Sequence, residues 1–277
     1  MKITAAEFRD ISQHIKKLSG IHLEESKKYL VETRLKDLLK EFGCASYAEL
    51  YRKALADRTG KMDNRIVDAI STNETLFFRD GNPFKLLKHK ILPEVIDARS
   101  KDTPRGRIPI RIWSAACSTG QEVYSIAITV REVLPDPTRY NIKLLGTDIS
   151  DSAIAKASRG RYDSFDISRG LDPVHLSKYF TRVGGSVVVR DEIRAMVSFR
   201  KFNLMSAVNG LGKFDIIFCR NVAIYFSPED RKKLFMRLAG ALEPDGYLII
   251  GGTESLTGIC PLFKPHRHLG TLFYRLK

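Results

Sequence analysis

Over the first 70 residues the apolar positions recur at intervals of three and four, the spacing of amphipathic helices. Thr4-Ala5-Ala6-Glu7 forms a capping box ahead of Phe8, Ile11, Ile15 and Leu18, and Gly20 ends that face. A second helix is expected over about residues 24–42, with a stripe of Val31, Leu35, Leu38, Leu39 and Phe42 that stops at Gly43. Ser46 caps a third through Leu50, Tyr51 and Leu55, and Asp63 or Asn64 opens a fourth through Ile66, Val67 and Ile70. Four short helices make a small bundle, suited to binding and too small for chemistry. Residues 71–79 are rich in side chains that bond the local backbone, Asp80-Gly81-Asn82-Pro83 turns into a helix over 84–98, and 100–109 reads as an exposed connector.

From residue 110 the period changes. The run 110–113 is apolar and strand-like, 114–120 is made of small residues, and Val123, Ile126, Ala127 and Val130 resume a helical spacing. Further strands are expected at 142–145, 197–202, 214–219 and 246–251, with a closing antiparallel hairpin from 262–263 and 271–276. Ser150 caps a helix that Gly160 ends, and Ser227-Pro228 opens one carrying Leu234, Phe235, Leu238 and Leu242. Residues 160–195 interrupt the alternation with a hairpin around Gly184-Gly185 and a return strand at 187–189. Alternating strands and helices imply an α/β fold with a doubly wound parallel sheet and a small antiparallel β insertion, preceded by an all-α domain. The expected division is 1–75, 76–109 as a linker, and 110–277 containing the insertion 160–195.

The turn after the first strand is the candidate ligand site, because in such sheets ligands lie beyond the strands' carboxyl ends. It has one glycine, Gly120, and is a poor cradle for pyrophosphate. Asp148 follows 28 residues later at the end of the second strand, placed to accept hydrogen bonds from two ribose hydroxyls. A ligand with ribose and no phosphate fits that pattern, and S-adenosylmethionine is the common one.

Composition changes this picture little. The chain has 277 residues, 43% apolar and 28% charged, with no apolar run long enough to cross a bilayer and no signal-peptide core at its start. A soluble, cytoplasmic protein is expected. Cys44, Cys117, Cys219 and Cys260 are scattered without a CxxC pair and read as reduced thiols, with no metal site. The net charge of +14 matters more: it attracts polyanions, whether nucleic acid or an acidic protein surface. A basic surface that serves only solubility is the plainer explanation.

Asn73-Glu74-Thr75-Leu76-Phe77-Phe78-Arg79, the run from Trp113 through Cys117 and Gly120 to Glu122, Gly146-Thr147-Asp148, and the run from Phe218 through Arg220-Asn221 to Tyr225-Phe226 occur in that order. Together they resemble the CheR-type chemotaxis receptor methyltransferases over essentially the whole chain. The resemblance implies a class I S-adenosylmethionine-dependent methyltransferase sheet, with 1–75 as a substrate-docking domain and a cofactor-contacting segment in 76–109. It implies methyl transfer to glutamate carboxylates on the cytoplasmic helical domain of methyl-accepting chemoreceptors in adaptation, with S-adenosylhomocysteine as the product. Asn73, Thr75, Arg79, Glu122, Asp148, Asn203, Leu204, Arg220 and Asn221 then line the cofactor site, and Arg79 and Tyr225 face the methyl group. Gln121-Glu122-Val123 stands where the family has paired glutamates followed by proline, and the second carboxylate is retained. The hairpin at Gly184-Gly185 is short beside members that clamp a receptor C-terminal pentapeptide, which implies independence of such a peptide. The expected enzyme is a monomer that binds neither nucleic acid nor membrane.

The chemistry agrees with the resemblance. Methyl transfer from a sulfonium needs alignment more than proton shuttling, and a glutamate is already ionised at neutral pH. No histidine falls in the four motifs: His14, His22, His89, His175, His266 and His268 lie elsewhere. Arg79 steers the acceptor carboxylate in this reading and Tyr225 orients it. Taken alone, Arg79 also fits an ion pair with Asp80 or another acid, Tyr225 fits packing, and Asp148 fits a helix cap before Ser150. Lys27 and Arg34 share one edge of the second helix and Lys36 and Lys40 the opposite face, forming a candidate docking set for acidic receptor helices or merely a solvated surface. A nucleic-acid methyltransferase and a non-catalytic S-adenosylmethionine-binding signalling module are the alternative functions.

Overall fold

The structure, a computed structural model, describes residues 2–103, 106–134 and 136–277. The N-terminal bundle is α1 (Ala5–Ser19), α2 (Lys28–Glu41), α3 (Tyr47–Ala56) and α4 (Lys61–Ile70). Thr4 closes the capping box with Glu7, and Gly20 ends α1 in the left-handed conformation. Phe8, Ile11, Ile15, Val31, Leu35, Tyr47, Leu50 and Ile66 fill the bundle core.

Three expectations shift here. The second helix begins as a 3-10 turn over Glu25–Lys27, because Glu24 makes no side-chain cap. The fourth begins at Lys61, after left-handed Gly60, because the Asp57 carboxylate accepts from the Met62 N–H at 2.8 Å and takes over the capping expected of Asp63 or Asn64. Leu55, counted in the apolar stripe of the third helix, is exposed.

Residues 76–109, expected as a linker, are for most of their length helical and packed on the sheet. α5 (Asn82–Leu86) runs through a π turn (Leu87–Ile91) into α6 (Leu92–Asp102). The π turn precedes Pro93, which has no N–H to continue the ladder and whose ring crowds the preceding turn. Phe84, Leu86, Leu87, Ile91, Leu92 and Val95 join one core with Ile110, Ile112, Phe218 and Ile249 of the sheet. Pro104 and Arg105 of the expected connector lie outside the described residues.

The main sheet contains β1 (Ile108–Ala115), β2 (Tyr140–Asp148), β6 (Val197–Lys201), β7 (Phe214–Cys219), β8 (Leu242–Ile250), β9 (Phe263–His268) and β10 (Thr271–Leu276). Their order is β6-β2-β1-β7-β8-β10-β9. All neighbours are parallel except β10, which runs antiparallel to β8 and β9. β7 is buried at every position, as its apolar run demands. The order reverses between β1 and β7, which opens a crevice at their carboxyl ends. α7 (Gln121–Val133), α8 (Asp151–Arg159) and α12 (Pro228–Ala241) cover the faces.

The insertion is a three-stranded sheet, β3 (Arg161–Tyr162), β5 (Ser186–Val189) and β4 (Phe180–Val183), with the short helices α9 (Ser164–Ser168) and α10 (Pro173–Tyr179). The hairpin was legible in the sequence; β3, two residues long, carries no period and was not. α11 (Asp191–Arg194) leads back to β6. The insertion grips residues 74–78. Phe77 packs edge-on to Tyr162 and Phe180, Phe78 stacks on His175, and Arg169 pairs with Glu74.

Candidate functional site

Above the crevice the bundle docks directly onto the motif after β7. The His22 N–H donates to the Tyr225 carbonyl at 2.8 Å, and Ile21 forms an antiparallel bridge with Phe226. Gly20 permits this approach: a Cβ there would stand 2.6 Å from the Met205 side chain. The Asn203 amide donates to the Leu18 carbonyl at 2.7 Å, and the Ser150 hydroxyl donates to Asp68 at 2.7 Å. Between bundle and sheet lies a cavity of about 660 Å³.

Asn73, Thr75, Arg79, Glu122, Asp148, Asn203, Leu204, Arg220, Asn221 and Tyr225 all line it. Of the expected docking residues only Lys27 does. Lys36 and Lys40 are exposed elsewhere on α2, whereas the Arg34 guanidinium donates to the Ile70 carbonyl and, at 3.0 Å, to the Thr72 hydroxyl. Arg34 therefore holds the start of the segment carrying Asn73 and Thr75.

The turn after β1 is backbone-strained. Ala116, Ser118 and Gly120 have φ of 63°, 51° and 95°, the first two in a region that side chains disfavour. Its geometry is fixed from both sides: the Ser118 N–H donates to Asp148 Oδ2 at 2.8 Å, and the Ser118 hydroxyl donates to the Asn73 carbonyl at 3.0 Å. The second Asp148 oxygen accepts from the Ser150 N–H at 3.0 Å. Burial pushes the Asp148 carboxyl above its ordinary value, against the pull of the Ser150 and Ser118 N–H groups. The helix cap itself is Ser150, which accepts from the Ala153 N–H, so Asp148 braces the cap without being it. A carboxylate has about four acceptor sites, so these N–H groups leave Asp148 capacity for further hydrogen bonds.

Arg220 sits beneath the cavity, its side chain 1% exposed. It donates to Glu122 at 2.8 Å, to Asp80 at 2.6 Å and to the Arg79 carbonyl at 2.9 Å, while the Ser114 hydroxyl donates to the other Glu122 oxygen at 2.8 Å. Asp80 is thereby taken by Arg220 and not by Arg79. The Arg79 guanidinium donates to the Glu74 carbonyl at 3.1 Å and, among the described residues, makes no ion pair within 4 Å. Tyr225 is half-buried at the cavity wall.

The sequence did not point to the stretch from His22 through Lys27 to Tyr29, which runs into the start of α2, as a cavity wall, nor to Arg231, which also lines it. Contacts between residues some 200 positions apart leave no local signal. Glu254, just past the end of β8, did carry one, since acids at the carboxyl end of a strand in this fold fall near the ligand crevice.

The lining fits S-adenosylmethionine on two observations. Asp148 has acceptor capacity left for hydroxyls, and Arg220 Nε is buried without a hydrogen-bond partner, an arrangement that suits an anionic or carbonyl group in the cavity.

Residues 6–71 match the CheR methyltransferase all-alpha domain, and residues 73–267 match the CheR methyltransferase SAM binding domain. The chain is 42% identical to the chemotaxis protein methyltransferase of Vibrio parahaemolyticus, over 99% of this chain and 98% of that one. It is 41% identical to chemotaxis protein methyltransferase Cher2 of Pseudomonas putida, over 91% of each. It is 38% identical to chemotaxis protein methyltransferase 1 of Pseudomonas aeruginosa, over the full length of both. The chain therefore belongs to the CheR methyltransferase family and is an S-adenosylmethionine-dependent methyltransferase.

Proposed function

We propose that this enzyme methylates glutamate side chains on the cytoplasmic helical domain of methyl-accepting chemoreceptors, working in the cytoplasm as a monomer and forming methyl esters that reset receptor signalling. The observation that carries the reading is the charge left over at the cavity. Of its acids, Glu122 and Glu74 are paired with Arg220 and Arg169 while Glu24 and Asp148 have no ion pair, whereas Lys27, Arg79 and Arg231 line it with no ion pair among the described residues, so unpaired cations exceed unpaired acids by three to two. An anionic acceptor fits this surplus, and the relatives' shared description as chemotaxis protein methyltransferases supports a receptor as its source.

When bound, the cofactor supplies an electrophilic methyl group on a sulfonium. Asn73, Thr75, Arg79, Asp148, Asn203, Leu204, Arg220 and Asn221 would hold it, with Glu122 acting by fixing Arg220. Arg79 draws the acceptor carboxylate in and the Tyr225 hydroxyl orients it. The chemistry supplied is in-line methyl transfer, for which Arg79 and Tyr225 would present an acceptor that is already ionised and needs no proton removed. The place where an amine methyltransferase clamps its substrate reads Arg220-Asn221-Val222-Ala223, consistent with that chemistry. Lys27 at the rim and the exposed Lys36 and Lys40 guide acidic receptor helices, and Arg34 contributes by holding the linker. The four-residue strands of the β4–β5 hairpin support docking that needs no receptor C-terminal pentapeptide.

Incubation with methyl-labelled cofactor and a receptor cytoplasmic fragment tests this. Label released as methanol by alkali is expected, and Arg79→Ala should lower kcat/KM by on the order of a hundredfold, well beyond its effect on S-adenosylhomocysteine affinity. Alkali-stable methyl on nucleic acid, or no transfer at all, would overturn the glutamate assignment.

A further inference from the structure

Asn221 lies in the left-handed region, with φ of 57°, which asparagine enters more readily than other side chains and which its surroundings here hold in place. Its N–H donates to Glu254 Oε2 at 2.8 Å, and the same oxygen accepts from the Gly251 N–H at 2.7 Å. The turn from Gly251 to Glu254 is closed by the Glu254 N–H on the Gly251 carbonyl at 2.9 Å. Space there is fully used: a Cβ on Gly251 would stand 2.6 Å from Glu254 Oε2 and 2.8 Å from the Asn221 amide nitrogen. The other carboxylate oxygen, Oε1, is buried with no hydrogen-bond partner. A carboxylate kept half-satisfied in such a place costs free energy, which marks it as serving the neighbouring site.

We propose that Glu254 is a positioning residue of the methyl-transfer site, clamping the Asn221 backbone in the left-handed turn that sets the Arg220 and Asn221 side chains at the cavity. It acts through Asn221 and does not itself line the cavity. The proposal rests on the assignment of Asn221 to the cofactor.

Calorimetry with S-adenosylhomocysteine on the full chain tests it, alongside steady-state KM values for cofactor and for protein acceptor. Glu254→Ala should weaken product binding by on the order of tenfold and raise the KM for cofactor alone. Glu254→Gln should bind nearly as the wild type, because its side-chain carbonyl still accepts both N–H groups. Glu254→Asp, one methylene shorter, should fall with the alanine variant, so the Gln and Asp pair carries the contrast even if the alanine variant does not fold. Wild-type affinity in Glu254→Ala, or equal affinities for Gln and Asp, would overturn the clamp. Asn221→Ala separates the two ideas: if it binds as the wild type, the cofactor assignment of Asn221 fails, and if it alone is weakened, only the clamp fails.

Discussion

Asp148 shows how one side chain carries opposing demands. Burial raises its carboxyl pKa, so between the ordinary and the raised value the folded protein holds a proton that the unfolded chain has released. Its ionisation therefore costs stability as pH rises through that window, and the two backbone N–H groups offset part of the cost. Cofactor affinity should run the other way, strongest where the carboxylate is ionised and able to accept from hydroxyls. Asp148→Asn keeps one acceptor oxygen and turns an amide N–H₂ toward the Ser118 or Ser150 N–H. Calorimetry should show S-adenosylhomocysteine affinity reduced by roughly tenfold to a hundredfold, consistent with the loss of about 1.5–3 kcal/mol for a charged hydrogen bond. An unchanged dissociation constant would remove Asp148 from the cofactor site. Its neighbour Arg220 is a different case, a cation held by Glu122, Asp80 and the Arg79 carbonyl, with Nε left unpartnered, and it organises the floor of the cavity before any ligand arrives.

Elements bring these residues to one place, and two clamps hold them. At the amino end of the sheet Arg99 of α6 donates to Asp215 on β7 at 2.6 Å and to both Asp245 oxygens on β8, while the Arg111 N–H also bonds Asp215 at 2.7 Å. The segment between the domains is thereby pinned across two strands at the end opposite the cavity. Arg99→Ala would leave Asp215, 4% exposed, buried without its cation. A loss of about 3–5 kcal/mol in urea unfolding is expected, with cofactor affinity at 25 °C unchanged. A smaller loss would mean the surrounding water takes over the pairing. At the other end the insertion holds residues 74–78 through Arg169, Tyr162, Phe180 and His175, so the β subdomain is a wall for the segment carrying Asn73, Thr75 and Arg79 as well as an appendage.

At the scale of the molecule the net charge of +14 and the paired carboxylates act together. The Arg99 hydrogen bond holds Asp245 below the usual carboxylate range, Arg65 does the same for Glu41, and Arg169 for Glu74. A carboxylate with a lowered folded pKa contributes stability above its unfolded value, and that contribution is lost as pH falls through the folded one. Protonation also adds to a charge that is already repulsive. The thermal midpoint should therefore be nearly level from about pH 6 to 8, fall steeply below about pH 4.5, and recover in part with added salt. A midpoint that does not move down to about pH 3 would show that these pairs contribute nothing.

Most of the long helices, the strands of the main sheet and the four motifs were legible because each is local. The capping box at Thr4, the apolar run of β7 and the small-residue turn before Gly120 depend on near neighbours and on the periods 3.6 and 2. The placement of Asp148 beside that turn followed from the rule for where ligands sit in a doubly wound sheet. What the sequence by itself determined, then, was the order of elements and the residues available for chemistry. Only the tertiary structure decided which of them remain free. Arg79 adjoins Asp80 in the sequence, yet Asp80 pairs with Arg220, which stands just past the end of β7 and 140 positions away. Arg34 stands among exposed lysines in the sequence, yet the packing of α2 beside the end of α4 commits it to Ile70 and Thr72. The bundle becomes a cavity wall through His22 and Tyr225, two residues that meet only once the whole chain has folded. Pairing over such separations is settled by strand order and domain docking, and no periodicity encodes it.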